Sequence, residues 1–411
     1  MNSSTRTALC ASCNAVASLH VFQKTNLPVV CNELLDTREH ALGVTLGDVD
    51  LVYCDTCGSI SNAAFDPRRI DYDARYENAL HFSGTFQAFA SSLAGRLIAE
   101  YDLKGKSVAE IGCGDGFFLR LLRRGGAGAC IGYDPSMSGG RLAELPDCEG
   151  VTIFPESFGH QDLPADVSAL VCRHVLEHIA SPVDFLGAIR DRIKHDDCVV
   201  YFEVPNAGWM LESHSLWDII YEHVTYWTPA ALDTAFRKAG FTPVKISTGF
   251  DNQYLMIEAR PTKISPPVAA GRPEPDDWQT ASRTFGAASR RILHRWHERL
   301  SAMQADGRSA VLWGGGSKGV TFLNAVEAAR HTVRAVVDVN QRKQGKFVPG
   351  TAHPIVAPSE LPALAPDLVI VANEIYLDEI RQQIAAMGLE PDFDVLSGLS
   401  SAEVRTGVPV R

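Results

Sequence analysis

Two short cysteine pairs, Cys10-Ala-Ser-Cys13 and Cys54-Asp-Thr-Cys57, carry the ligand type and number of a closed tetrahedral metal site. Thiolate sulfur suits Zn(II), and four of them leave no open coordination position. Cys10, Cys13, Cys54 and Cys57 therefore predict a structural zinc that holds the fold and does no chemistry itself. The forty residues between the pairs exceed the gap of a common zinc ribbon. A thioredoxin-like redox motif is the competing reading, and it lacks the βαβ surroundings such a motif needs. Cys31, between the pairs, reads as a buried apolar thiol and not as a fifth ligand.

The second signal is Glu110-Ile-Gly-Cys-Gly-Asp-Gly116. Glycines after a strand let the backbone approach a ligand closely, and the helix they open offers its free amides. Asp134 ends the next strand-like run eighteen residues beyond Gly116, where a carboxylate can hold ribose hydroxyls. Glu110, Gly112, Gly114, Gly116 and Asp134 thus predict a nucleoside-type cofactor site, against the plainer reading of a structural turn. His174 and His178 stand four apart in Arg173-His-Val-Leu-Glu-His178, a spacing that puts them on one helix face with Glu177 beside them. Metal ligation there lacks further ligands. An active-site wall and a satisfied structural histidine both stay open. Tyr221-Glu-His-Val-Thr-Tyr226 gathers a base, an acid and two phenols, in which Glu222 could orient His223 for proton abstraction near neutral pH. Tyr72-Asp-Ala-Arg-Tyr-Glu-Asn78 sets polar aromatics just upstream, Tyr76 among them. Either cluster could equally be a surface segment.

The elements that must hold these residues alternate between strand and helix, which implies an α/β fold with parallel sheets. Ser107–Ile111 reads as a first buried strand, Phe117–Arg124 as the helix after it, and Ala129–Asp134 as the second strand. An amphipathic helix from Phe86 to Tyr101 precedes them, and Ser168–Cys172 and Cys198–Glu203 are further strands. Prolines 261, 266, 267, 273 and 275 mark a linker at about 261–275. A helix from about Trp278 to Ala305 follows, with Ile292, Leu293, Trp296 and Leu300 as a core stripe. Strands at Ser309–Trp313, Val333–Asp338 and Leu368–Ala372 then form a second, smaller α/β unit. The expected division is 1–66, a zinc-binding unit; 67–262, a cofactor unit; and 276–411, a second Rossmann-like unit.

At 411 residues the chain is too long for one ordinary core. Its 45% hydrophobic and 21% charged residues are those of a globular protein. A formal net charge of -11 argues against nucleic-acid or anionic-membrane partners, and Arg290-Arg291 falls on a helical, solvated face. No apolar run reaches the ~18 residues of a membrane span. The opening Met-Asn-Ser-Ser-Thr-Arg-Thr lacks a signal-peptide core, so a cytoplasmic protein with reduced cysteines is expected.

With these residues in view, nearly the whole chain resembles the three-domain sugar C-methyltransferases that use S-adenosylmethionine. The resemblance runs through the four cysteines, Tyr72 to Ser83, Glu110 to Gly116, Arg173 to His178 and Glu222-His223. It continues through Trp313-Gly-Gly-Gly-Ser-Lys-Gly319, Lys343-Gln-Gly345, Pro349-Gly-Thr351 and Asn373-Glu-Ile-Tyr376. It departs from the family's Tyr-His before Glu-His, carrying Ile220-Tyr221 there. The resemblance implies a class I methyltransferase domain flanked by a zinc domain and a Rossmann-like domain. It also implies methyl transfer to a carbon beside a ketone on a nucleotide-linked keto-deoxysugar. His223 would be the base, oriented by Glu222. Tyr76 and His178 would touch the sugar or the enolate oxygen, and His174 would close on the cofactor. Tyr221, Lys318 and Gly315 would be substrate contacts, the last two near a diphosphate. An O- or N-methyltransferase on this scaffold, or a non-catalytic sugar-nucleotide-binding protein, are the alternatives.

Overall fold

The computed structural model describes residues 8–17, 19–70, 72–144, 148–159, 163–262 and 275–396. Most of the expected linker, 263–274, and the end of the expected last unit, 397–411, lie outside them. The first cysteine pair caps a small hairpin of β1 (Ala8–Leu9) and β2 (Val16–Ala17). Three antiparallel strands follow: β3 (Leu19–Pro28), β4 (Leu46–Tyr53) and β5 (Ile60–Asn62). The second cysteine pair occupies the turn between β4 and β5. These strands are longer than the turn-rich composition of residues 1–66 suggests. Alternation explains β4, where Val49, Leu51 and Tyr53 point into the core. A fourth strand, β11 (Thr225–Tyr226), joins this sheet from far along the chain, pairing Thr225 with Ser61 and Tyr226 with Ile60.

The central sheet holds seven strands. They are β6 (Ser107–Ile111), β7 (Cys130–Tyr133), β8 (Val151–Phe154), β9 (Val167–Arg173), β10 (Val199–Pro205), β12 (Phe241–Gly249) and β13 (Tyr254–Pro261). Their order is β12-β13-β10-β9-β6-β7-β8, with β13 antiparallel to β10 and β12 and the other pairs parallel. The middle strands are covered on both faces, so they read as near-continuous apolar runs: Leu170, Val171 and Cys172 are all fully buried. The order in which strands are added reverses at β6, and such a reversal leaves a crevice beyond the strand's carboxyl end. The glycine loop lies in that crevice.

The last unit repeats the device. β14 (Ala310–Trp313), β15 (Val333–Val337), β16 (Ile355–Val356), β17 (Leu368–Val371) and β18 (Asp392–Val395) form a parallel sheet in the order β16-β15-β14-β17-β18. Its reversal falls at β14, immediately before Gly314-Gly-Gly316. The helix Pro275–Ala305 buries Phe285, Ile292, Trp296 and Leu300 in a core shared with β3, β14 and the 207–226 segment. A Cβ at Gly286 would sit 2.6 Å from the Val21 carbonyl, so glycine lets helix and strand touch there. No helix among the described residues is long and apolar enough to cross a membrane.

The Arg173–His178 segment departs from expectation. β9 ends at Arg173, His174 turns out of it with φ 54°, and only Leu176–His178 form a short 3-10 turn. His174 and His178 therefore do not share a helix face. Pairing with β10 keeps the segment extended through Arg173, and the His174 amide then closes on the Glu203 carbonyl at 2.8 Å.

Candidate active site

The cofactor loop is built by three left-handed glycines, Gly112 (φ 70°), Gly114 (φ 52°) and Gly116 (φ 75°). A Cβ on Gly112 would lie 2.2 Å from Val175, whereas one on Gly114 would enter open space. Asp134 ends β7 and accepts from the Gly114 amide at 2.7 Å and the Ser136 amide at 2.9 Å. Glu110 is buried beneath the loop, and its Oε2 has no hydrogen-bond partner. Burial pushes its carboxyl up to about 8, with the Asp134 and Glu203 charges adding to the rise and Arg173 opposing it. An orphaned acid below and vacant space above Gly114 fit a cationic, nucleoside-bearing cofactor such as S-adenosylmethionine. Glu110, Gly112, Gly114, Gly116 and Asp134 thus come together as expected.

Below the loop, Arg173 grips Glu203 through Nε at 3.0 Å and Nη2 at 2.9 Å and lies 4.5 Å over the Phe118 ring. His174 continues this chain. Its Nε2 is 3.1 Å from Glu203, its Nδ1 is 3.5 Å from Glu177, and its ring stands against Tyr254 at 4.5 Å. Burial lowers the His174 pKa, but the two carboxylates outweigh that and lift it to about 9, so the ring is an imidazolium at neutral pH.

A cavity of ≈ 290 Å³ opens beside this chain, between the central sheet and the last unit. Tyr76, His174, His178, His223 and Lys318 all line it, as do Glu177, Asn32 and Ile220. His178 Nδ1 lies 2.8 Å from the Tyr72 hydroxyl and 3.2 Å from the Glu222 carbonyl, and its ring meets His223 edge-on at 5.0 Å. Burial, followed by the nearby His178 and His174 charges, holds the His223 pKa well below the ordinary histidine value. Neighbouring backbone sets its position: the Val224 amide donates to the Glu177 carbonyl at 2.8 Å and the Asn62 amide to the Val224 carbonyl at 2.9 Å.

Three expected contacts lie elsewhere. Tyr221 is buried away from the cavity, its hydroxyl accepting from the Asp66 amide at 2.9 Å. Its ring packs where a Cβ on Gly47 would stand 2.3 Å away. The Glu222 carboxylate turns to the Cys31 amide at 2.8 Å, not to His223, because the chain reverses its side chains between these neighbours. Cys31 is buried there, outside the cysteine cluster. Gly315 spends its amide on Asp338 at 2.8 Å, and it is Gly314 and Gly316 that border the cavity. Lys318 is already paired with Asp218 at 2.9 Å and lies over Trp209.

The sequence reading passed over a joint between the units. Arg342 reaches Asp115 of the cofactor loop at 3.0 Å and Glu77 at 3.2 Å, while Glu77, fully buried, also binds Arg141 at 2.6 Å and Asn340 at 3.0 Å. Gln253 and Asn373 exchange paired amide bonds at 3.0 and 2.8 Å across the same joint. The position of Asn340 and Arg342 just after Asp338, which mirrors Asp134, was the available signal.

The four paired cysteines converge. Cys10 Sγ and Cys57 Sγ are 3.6 Å apart, Cys13 Sγ and Cys54 Sγ 3.5 Å, and all four sulfurs lie within 4.8 Å of one another. A tetrahedral ion with metal–sulfur bonds of about 2.3 Å requires edges of about 3.8 Å, so the donor set fits zinc.

The seven-strand order, the glycine loop at its reversal and the acid ending the next strand define a class I S-adenosylmethionine-dependent methyltransferase. Residues 85–246 match the methyltransferase domain family, and residues 276–390 match the C-methyltransferase C-terminal domain family. Over 393 residues the chain is 25% identical to the C-methyltransferase NovU of Streptomyces niveus, covering 90% of each chain. A stretch of 161 residues is 29% identical to tRNA U34 carboxymethyltransferase of Pseudomonas syringae, 36% of this chain and 50% of that one. A solved S-adenosylmethionine-dependent methyltransferase from Mesorhizobium loti, 16% identical, covers 42% of this chain and 97% of its own, with a TM-score of 0.34. The chain belongs to the multi-domain S-adenosylmethionine-dependent C-methyltransferases. It is an enzyme, which sets aside the reading of a non-catalytic binding protein.

Proposed function

We propose that the enzyme methylates a carbon beside a ketone on a nucleotide-linked keto-deoxysugar, with His223 as the base. One observation carries this reading: a half-buried, neutral imidazole lines the cavity that joins the cofactor loop to the second glycine turn. Bound S-adenosylmethionine supplies an electrophilic methyl group, and Glu110, Gly112, Gly114, Gly116 and Asp134 would hold it. The ketone acidifies the neighbouring C–H, and His223 takes that proton onto a ring nitrogen. The electron pair left on carbon would be the nucleophile toward the methyl that the bound cofactor would supply. Tyr76 and His178, both half-buried in the cavity wall, would hold the substrate oxygen through the enolate stage, where a positioned donor is most effective.

The nucleotide end would lie at Gly314–Gly316. The helix Ser317–Ala325 starts there without a side-chain cap, and uncapped amides attract phosphate. Zinc in the four-cysteine cluster would be structural. Ile220 in the cavity wall supplies an apolar contact to the substrate. The test is mass spectrometry of the enzyme with S-adenosylmethionine and nucleotide-linked 4-keto-deoxysugars in deuterated water. Methyl gained on carbon with exchange of the adjacent C–H is the expected result. A methyl on oxygen or nitrogen, with no C–H exchange, refutes it. His223→Asn should lower turnover by roughly 10²- to 10⁴-fold with cofactor binding intact.

A further inference from the structure

We infer that Glu177, not Glu222, is the carboxylate that serves His223. This rests on the reading of His223 as base. A carboxylate oxygen of Glu177, a ring nitrogen of His178 and a ring nitrogen of His223 lie within 4.8 Å of one another. Glu177 is 1% exposed, and neither of its oxygens has a hydrogen-bond partner; His223 Nδ1 is buried and has none either. An unpaired buried acceptor and an unpaired ring nitrogen each carry a desolvation penalty, so two of them side by side are set to use one another. The backbone holds them there, because the Val224 amide is bonded to Glu177's own carbonyl. Glu222 turns one oxygen to the Cys31 amide and leaves the other unpaired, but its carboxylate is not in the group that meets His178 and His223.

Proton abstraction turns a neutral ring whose Nδ1 is buried and unpaired into an imidazolium that needs an opposing charge there. Glu177 supplies the opposing charge at that moment. His174, at 3.5 Å, ties Glu177 to the Arg173–Glu203 chain. The same three side chains have the make-up of a two-histidine, one-carboxylate metal site. A divalent ion there would sit beside the His174 imidazolium, and that repulsion favours the proton-transfer role.

The experiment measures substrate C–H exchange in deuterated water with S-adenosylhomocysteine in place of the methyl donor, using a nucleotide-linked 4-keto-deoxysugar. Glu177→Gln should lower exchange and kcat by roughly 10²- to 10⁴-fold, with KM and cofactor affinity nearly unchanged. Glu177→Asp, which keeps the charge, should stay within about tenfold of wild type, and formate should restore exchange to Glu177→Ala. Exchange kept in Glu177→Gln but lost in His223→Asn overturns the role of Glu177 and leaves the base standing. Exchange kept in His223→Asn removes the base itself. An Asp variant as inactive as the Gln one, or an Ala variant that formate does not rescue, overturns a role for the charge. A second equivalent of divalent metal per chain that disappears in Glu177→Gln overturns the inference by making the cluster a metal site.

Discussion

Replacing Arg173 by methionine tests the charge chain under the cofactor loop most directly. Glu203 is fully buried. Burial alone would raise its pKa, but the Arg173 charge and the His174 bond outweigh it and pull the carboxyl to about 2 from its ordinary 4.5. That displacement corresponds to about 3 kcal/mol at neutral pH. The sign follows from the lowered value: the contribution is present above pH 4.5 and is lost as pH falls toward 2. Arg173→Met strips away the main charge partner and leaves the carboxylate stranded, for which about 3–5 kcal/mol is the general expectation. In the central α/β unit this should lower the calorimetric midpoint by roughly 6–20 °C. Arg173→Met with Glu203→Gln removes the stranded charge and should recover more than half of the loss, a coupling that only a shared interaction produces. A single variant within about 2 °C of wild type, or a double variant less stable than the single one, would refute the reasoning.

Gly114→Ala should fold, with a penalty of about 1 kcal/mol for the left-handed backbone, yet bind S-adenosylmethionine at least tenfold more weakly, since its Cβ enters the cofactor's space. Calorimetric titration reads both the affinity and the unchanged stoichiometry. His174, lifted to about 9, contributes stability that is complete below pH 6.5 and lost as pH rises through 9. Melting curves from pH 6 to 10 should show that decline, and His174→Asn should flatten it. Cys54→Ser should release the metal and lower methyl transfer more than cofactor affinity, with elemental analysis falling from about one zinc per chain. Metal-free protein with full activity would contradict that.

Local patterns in the chain were enough to locate the cofactor loop. Ser107–Ile111 and Phe117–Arg124 form the strand and helix expected of them, because both are short, strongly patterned and flanked by glycine. The cysteine cluster was equally legible, since its ligands come as close pairs. The direction of a side chain in an irregular segment was not. Tyr221 and Glu222 sit in a stretch whose only regular contact is β11, two residues paired with a strand about 165 residues earlier in the chain. Whether such a residue faces the cavity or the four-cysteine unit depends on Gly47 and Cys31, and no spacing near residue 221 records them. Histidine spacing misled for a related reason: four residues apart implies one face only if the segment is a helix, and pairing of β9 with β10 prevents that.

The same long-range pairing joins the four-cysteine unit to the segment that carries His223. His223 lies two residues before β11, and β11 hydrogen-bonds to β5, which leaves the turn that carries Cys54 and Cys57. Past β11, the Thr228 hydroxyl donates to the Gly58 carbonyl at 3.0 Å, so the cysteine turn grips the chain on the far side of β11 from His223 as well. With zinc in the cluster, an imidazole held this way would inherit the rigidity of four metal–sulfur bonds. The cofactor loop, built on β6 and β7, has its own support. A catalytic base displaced by about 1 Å loses on the order of 10²-fold in rate while distant binding groups are unaffected. On the proposed roles of His223 and the four cysteines, metal loading would govern turnover without touching substrate, through the few residues between Cys57 and His223 in space.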